Sequence, residues 1–336
     1  MKTKILSVSD IEEAARALLE GELIAFPTET VYGLGADATN EKAVSKIYQA
    51  KGRPSDNPLI AHVSSVQMLE RITDDLSSDA KGLIKRFWPG PLTLVVKHNG
   101  SLADSVTAGL ETVGVRMPAH PIAQNLIDQL GRPIAAPSAN RSGRPSPTTA
   151  EHVFEDLQGR IYGVIDGGMT QCGVESTVLD MTSDVPTILR PGAITSSDLL
   201  TVLNEVIEST EDFSDSDKKN GPKAPGMKYQ HYSPNIPVYL PHLTVEKSVE
   251  LLREKYQEIG ILADDSYADY GEESGVHFYS LGEPGDVRSA NHHLFAGLRS
   301  LEKSGAEVIL AQTYPGEEAG RAYMNRLHKA AGGKMI

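Results

Sequence analysis

Short apolar runs alternate with stretches of helical spacing over the first two hundred residues. Leu23–Phe26, Leu59–Val63, Leu92–Val96, Val113–Arg116, Tyr162–Asp166, Ser176–Asp180 and Thr187–Leu189 predict strands. Between them, Ile11, Ala14, Ala15, Leu18 and Leu19 share one face of a helix. A Ser9/Glu12 capping box would open it and Gly21 would end it. Ala43, Val44, Ile47 and Tyr48 mark a second helix, capped by Thr39 or Asn40. Ser64 with Gln67 and Thr148 with Glu151 predict two further helix starts. Asp79–Phe87 and a stretch from Ser196 or Ser197 to about Ile207 also read as helices, and Pro121 starts another at its favoured first position. This loose alternation predicts an α/β fold with a mixed sheet.

The pattern breaks at Glu205. An acidic run through Asp217 reads as a solvated linker, and Gly221–Pro234 is too rich in Tyr, His and Met for a plain spacer. Periodicity then resumes. Ile236–Leu240, Ile259–Ala263, Val276–Tyr279 and Val308–Ala311 predict strands, and Thr244–Tyr256, Val287–Lys303 and Gly316–Ala331 predict helices. The expectation is a smaller Rossmann-like α/β domain that lacks the nucleotide-binding glycine fingerprint. The expected division is therefore residues 1–204, a linker or lid over 205–235, and residues 236–336.

Composition narrows the setting. A chain of 336 residues favours two domains. It has no run of eighteen apolar residues and no secretory pattern at its start, so no membrane association is expected. The single cysteine, Cys172, has no neighbouring base in sequence; it suits a reducing compartment, and a cytoplasmic protein is expected. The net charge of −13 divides evenly, with −8 up to residue 210 and −5 beyond. That excludes broad non-specific nucleic-acid binding but leaves room for a local basic pocket.

The chain has no P-loop, zinc-protease pattern, Cys-x-x-Cys pair or Gly-x-Ser-x-Gly elbow, and Ser78-x-x-Lys81 falls on an expected exposed helix. What it does have is cations at strand ends. Lys51-Gly52-Arg53-Pro54-Ser55-Asp56-Asn57-Pro58 sets two cations in a bent, stiff turn. On its own this reads equally as a phosphate loop or a solvated basic turn. Pro133–Pro147 is a second strand-to-loop stretch, with Arg141, Arg144 and small hydroxyls. Arg116 and Arg190 close two strands, and Ser176 and Thr177 follow a glycine-rich run. His62, in an apolar strand, reads on its own as a core histidine. Loops meeting at one sheet edge would form a pocket that stabilises charge on a polyphosphate without a proton-transfer dyad.

Together with Pro27-Thr28-Glu29-Thr30-Val31-Tyr32-Gly33-Leu34, these loops resemble, in order, the signatures of the YrdC-type family, the threonylcarbamoyl-AMP synthases. The segment Ala224–Pro234 extends the resemblance to the family's two-domain form. The resemblance implies a twisted open mixed sheet with a concave, positively charged cleft. It also implies synthesis of threonylcarbamoyl-AMP and diphosphate from ATP, L-threonine and bicarbonate, for modification of the tRNA adenosine next to the anticodon. Carried over, Thr30, His62, Arg116, Ala136 and Ser176 would hold threonine. Lys51, Arg53, Asn57, Thr112, Ser138, Ser146, Arg190, His231 and Tyr232 would hold ATP, with Lys51, Arg53, Ser138 and Asn140 as the catalytic set. Magnesium is expected to arrive with ATP, and the product is expected to pass to a tRNA threonylcarbamoyl transferase without stable binding of nucleic acid by this chain. The segment Gly221–Pro234 is expected to act as a lid. An RNA-binding module and a carbamoyl-adenylate-forming relative remain as alternatives.

Overall fold

The computed structural model of the protein describes residues 2–209 and 231–336, so most of the acidic linker and most of the expected lid lie outside the described residues. The chain divides into two compact units, each described by itself. The first runs from the N-terminus, except that Gly143–Ser146 and Cys172–Val174 cluster with the second.

In the first unit the strands are β1 (Lys4–Leu6), β2 (Ile24–Phe26), β3 (Gly33–Asp37), β4 (Ile60–His62), β5 (Leu92–Lys97) and β6 (Thr112–Arg116). They continue as β7 (Ile134–Ala135), β8 (Gly163–Ile165), β9 (Thr177–Asp180), β10 (Thr187–Arg190) and β11 (Ile207–Glu208). The helices are α1 (Ile11–Leu19), α2 (Glu41–Lys51), α3 (Val66–Leu69), α4 (Ser78–Phe87), α5 (Asp104–Thr107), α6 (Pro121–Leu130), α7 (Ala150–Leu157) and α8 (Ser196–Leu199). All eleven strands join one sheet in the order β1-β8-β2-β3-β7-β4-β6-β5-β9-β10-β11. The sheet is mixed: β4 and β6 are parallel, whereas β7 is antiparallel to β3 and to β4. Ile24, Phe26, Leu34, Ile47, Leu94, Val115 and Leu126 are among the buried residues of its core.

Several boundaries move for physical reasons. The capping box near the N-terminus is formed by Ser7 and Asp10, not Ser9 and Glu12: the Asp10 carboxylate accepts from the Ser7 backbone N and Oγ, both at 2.7 Å. A 3-10 turn, Val8–Asp10, therefore precedes α1. Ser65 caps α3 and Thr149 caps α7, each one residue beyond the expected cap. The expected helix from Ser196 to Ile207 is one turn long. Leu199 and Leu203 bury themselves at helical spacing, and Ile207 then donates its N–H to Pro186 O and joins the sheet edge as β11. The strand β3 was not legible, because Gly33 and Gly35 argue against a strand. A Cβ on Gly35 would stand 2.8 Å from Ile134 Cγ2 and 2.9 Å from the Phe26 ring, so glycine is what lets these side chains cover the strand.

The second unit has a parallel sheet of β12 (Val238–Tyr239), β13 (Ile259–Ala263), β14 (Val276–Ser280) and β15 (Val308–Ala311), in the order β12-β15-β13-β14. Helices α9 (Val245–Arg253), α10 (Val287–Lys303) and α11 (Ala319–Ala331) complete it. Alternating strands and helices with parallel pairing match the expected Rossmann-like plan. Arg144 and Glu302 form a two-pronged ion pair (2.6 and 2.7 Å). The Tyr232 ring packs 5.2 Å from Phe295, on a backbone with φ +69°, which is rare for a bulky residue.

Candidate active site

Strand directions place the expected residues. The loops do not meet at one sheet edge. His62 and Arg116 end the parallel pair β4 and β6, and Ser176 and Arg190 lie at that same end. The Lys51–Pro58 loop precedes β4, Ser138 follows the reversed strand β7, and Thr112 opens β6, so these mark the opposite end. The residues at the first of these ends share one face of the sheet. His62 and Arg116 are register partners on neighbouring strands, so their side chains share a face. Thr93 joins them there: a Cβ on Gly114, two residues before Arg116, would meet Thr93 Cγ2 and Ile60 Cγ1.

At one end stands Arg116, 3% exposed. Its Nε donates to Gly90 O (3.2 Å), its Nη1 donates to Thr30 Oγ1 (2.9 Å), and its Nη2 lies 2.7 Å from Glu29 Oε1. Thr30 is itself fixed through Thr28 Oγ1 at 2.8 Å. Beside the guanidinium, burial and then the Arg116 charge push the His62 imidazole down to about 3, so it stays neutral. Its Nδ1 is 3.2 Å from Ile60 O. The Ala136 N–H is committed to Ile60 O, leaving its carbonyl for a ligand. Ser176 Oγ pairs with Thr93 Oγ1 (2.8 Å), and Arg190 donates to Ser176 O from Nε and Nη2 (3.2 and 3.1 Å).

The other end is built on α2. Its last residue, Lys51, is 3% exposed, and Gly52 ends the helix in a left-handed conformation (φ +63°) that reverses the chain at once. The Lys51 ammonium donates to Ser138 O, to Asn140 O (2.6 Å) and to Asn140 Oδ1 (3.3 Å). Ser138 Oγ donates to the same Oδ1. Arg53 Nη2 reaches Pro58 O at 3.2 Å and Asn57 O at 3.4 Å. Asn57 is 1% exposed, yet neither its amide nitrogen nor its amide oxygen has a hydrogen-bond partner among the described residues. Buried amides are rarely left so, and a ligand is the natural partner. Nearby, burial pushes the Tyr48 hydroxyl up to about 12, where it stays a donor to Ser105 O and Asn57 O.

The structure thus groups Thr30, His62, Arg116, Ser176 and Arg190 at one end, and Lys51, Arg53, Asn57, Ser138 and Asn140 at the other. Thr112 stands four residues down β6 from Arg116, about 13 Å away at strand rise; only a ligand as extended as a nucleotide would reach both. Ser146, His231 and Tyr232 are described with the second unit. The sequence reading missed Glu29, Thr28, Gly90 and Thr93. Glu29 stood inside a motif that was read, but its partner Arg116 is distant in sequence.

Two family models match in tandem. One, described as "Telomere recombination" (Sua5/YciO/YrdC), covers residues 16–192, and one described as the threonylcarbamoyl-AMP synthase C-terminal domain covers residues 194–332. The chain is 48% identical to a threonylcarbamoyl-AMP synthase of Bacillus subtilis, covering 99% of this chain and 97% of that protein. A Pyrococcus abyssi synthase is 46% identical, over 97% and 95% of the two chains. The crystal structure of P. abyssi Sua5 complexed with L-threonine superposes with a TM-score of 0.91 at 42% identity, covering 99% of both chains.

Proposed function

The chain belongs to the threonylcarbamoyl-AMP synthase family, and from that premise we propose that it condenses L-threonine, bicarbonate and ATP to threonylcarbamoyl-AMP, diphosphate and water. The observation that carries this reading is the pairing of two clusters at opposite strand ends: a guanidinium with hydroxyl and carboxylate partners around Arg116, and a cation-and-amide cluster around Lys51. At the first end Arg116 pairs the threonine carboxylate, with Thr30, Ser176 and the Ala136 carbonyl shaping the pocket. The neutral His62 serves as a hydrogen-bonding wall and adds no second positive charge. At the other end Lys51, Arg53 and Asn57 receive the triphosphate, with Ser138 and Asn140 holding Lys51 in place. Arg190, bonded to Ser176 at the first end, is assigned to the nucleotide on sequence resemblance.

The chemistry asks mostly for positioning. Bicarbonate gives up hydroxide to become carbon dioxide, which the uncharged amine of threonine attacks; the amine proton and the hydroxide leave as water, and the carboxylate formed on nitrogen attacks the α-phosphate, expelling diphosphate. Among the described residues no group of three or more His, Cys, Asp or Glu could hold a metal ion. The donors present, such as the unpartnered Asn57 amide oxygen, are neutral and fit a magnesium ion carried by the phosphates. Such an ion would offset charge on the departing diphosphate. Ser146, His231 and Tyr232 are assigned to the nucleotide on sequence resemblance. The fragile product would pass to a transferase acting on tRNA, and a cytoplasmic site of action fits this role. No helix among the described residues is long and apolar enough to cross a membrane. Diphosphate release is expected only when threonine and bicarbonate are both present; equal release with threonine omitted refutes the proposal.

A further inference from the structure

Glu29 is a buried carboxylate in the middle of a site otherwise built to take anions. It lies in the Pro27–Tyr32 segment, and its two oxygens are treated differently. Oε2 accepts a hydrogen bond from the Ala119 backbone N at 3.1 Å, which pins the side chain. Oε1 lies 2.7 Å from Arg116 Nη2, close enough for an ion pair. Even so, neither Oε1 nor Nη2 has an aligned hydrogen-bond partner among the described residues, whereas Arg116 Nε and Nη1 do. A buried acceptor and a buried donor therefore stand side by side, each with hydrogen-bonding capacity to spare. Leaving such atoms unsatisfied is destabilising, so the pair calls for a ligand that satisfies both.

A simple anion does not qualify, because it would serve Nη2 and be repelled by Oε1. An α-amino acid does: its carboxylate and its ammonium sit on one carbon, acceptor beside donor. The geometry points to Glu29 as the specificity-determining residue that takes the α-ammonium of a zwitterionic amino acid while Arg116 takes the carboxylate. This rests on the assignment of Arg116 to the threonine carboxylate, and it deepens that assignment. With one guanidinium and one carboxylate, the two residues carry no net charge, so the pair admits a zwitterion and disfavours a ligand that brings an unmatched charge.

Calorimetric titration of the full chain tests this with two ligands: L-threonine and 3-hydroxybutanoate, which is threonine with the amine replaced by hydrogen. The unmodified chain is expected to prefer threonine by about tenfold to a hundredfold, the worth of a charge-assisted hydrogen bond. Glu29→Gln, which keeps the shape and removes the charge, is expected to lose that factor for threonine. It should hold 3-hydroxybutanoate as tightly as before, or more so. Equal weakening of both ligands would reduce Glu29 to an orienter of Arg116 and overturn the inference. If Glu29→Gln does not fold, judged by its thermal transition, the unmodified chain decides: equal affinity for the two ligands overturns the inference. Arg116→Ala separates the two layers of the argument. Threonine binding that ignores Arg116 removes the underlying assignment, and the role of Glu29 with it. Threonine binding that needs Arg116, with the preference intact in Glu29→Gln, removes Glu29 alone.

Discussion

Arg116 and Lys51 are both buried cations of the first unit, but the protein holds them by different means. Arg116 faces a carboxylate, so part of its charge is already answered inside the fold. Lys51 donates to the backbone oxygens of Ser138 and Asn140 and to an amide oxygen, which orient the ammonium without cancelling its charge. The balanced end suits a substrate that carries both signs. The end held by dipoles keeps its positive charge for a polyanion.

Removing the guanidinium strikes this contrast hardest. Arg116→Ala leaves Glu29 buried and unpaired, and breaking a buried pair in this way costs about 3–5 kcal/mol of stability. A clear drop in the thermal midpoint should accompany loss of threonine-dependent diphosphate release. Adding Glu29→Gln to that variant should restore much of the stability and none of the threonine use. A single variant as stable as the parent would show that the ion pair is not the balancing element.

Lys51→Ala should separate the two ends kinetically. It removes a charge-assisted contact to the triphosphate worth about 1.5–3 kcal/mol, so kcat/KM for ATP should fall by about tenfold to a hundredfold. The threonine KM at saturating ATP should hardly move. Parallel loss on both substrates would mean that the ends act as one site.

The smallest expected effect is at Thr93, which is fully buried and touches the site through Ser176. Thr93→Val keeps the shape and removes one neutral hydrogen bond, worth about 1 kcal/mol. The threonine KM should rise several-fold with kcat nearly unchanged, and Thr93→Ser should recover it. A change confined to ATP kinetics would assign Ser176 to the nucleotide instead of threonine.

How much of this was legible depended on how local each cause was. Val308–Ala311 and Val287–Lys303 were readable to the residue, because apolar spacing alone defines them. The Lys51 loop announced itself through its glycine, prolines and paired charges. β3 stayed hidden because the need for Gly35 comes from Phe26 and Ile134, residues distant in sequence. Glu29 had a motif around it but no visible partner, since Arg116 comes 87 positions later and only the fold joins them. The convergence on a single edge failed for a related reason. Strand order and the reversal of β7 are properties of pairing, and no single strand's sequence encodes them.

The imidazole of His62 has a consequence for regulation. Held neutral to about pH 3, it adds no proton-dependent step near neutrality. An enzyme that consumes inorganic carbon meets a substrate whose own ratio of dissolved gas to bicarbonate shifts with acidity. His62 is therefore blind to the variable that governs the supply of that substrate. If output follows the acidity of the cell, this residue passes the signal on from the carbon pool without adding a response of its own.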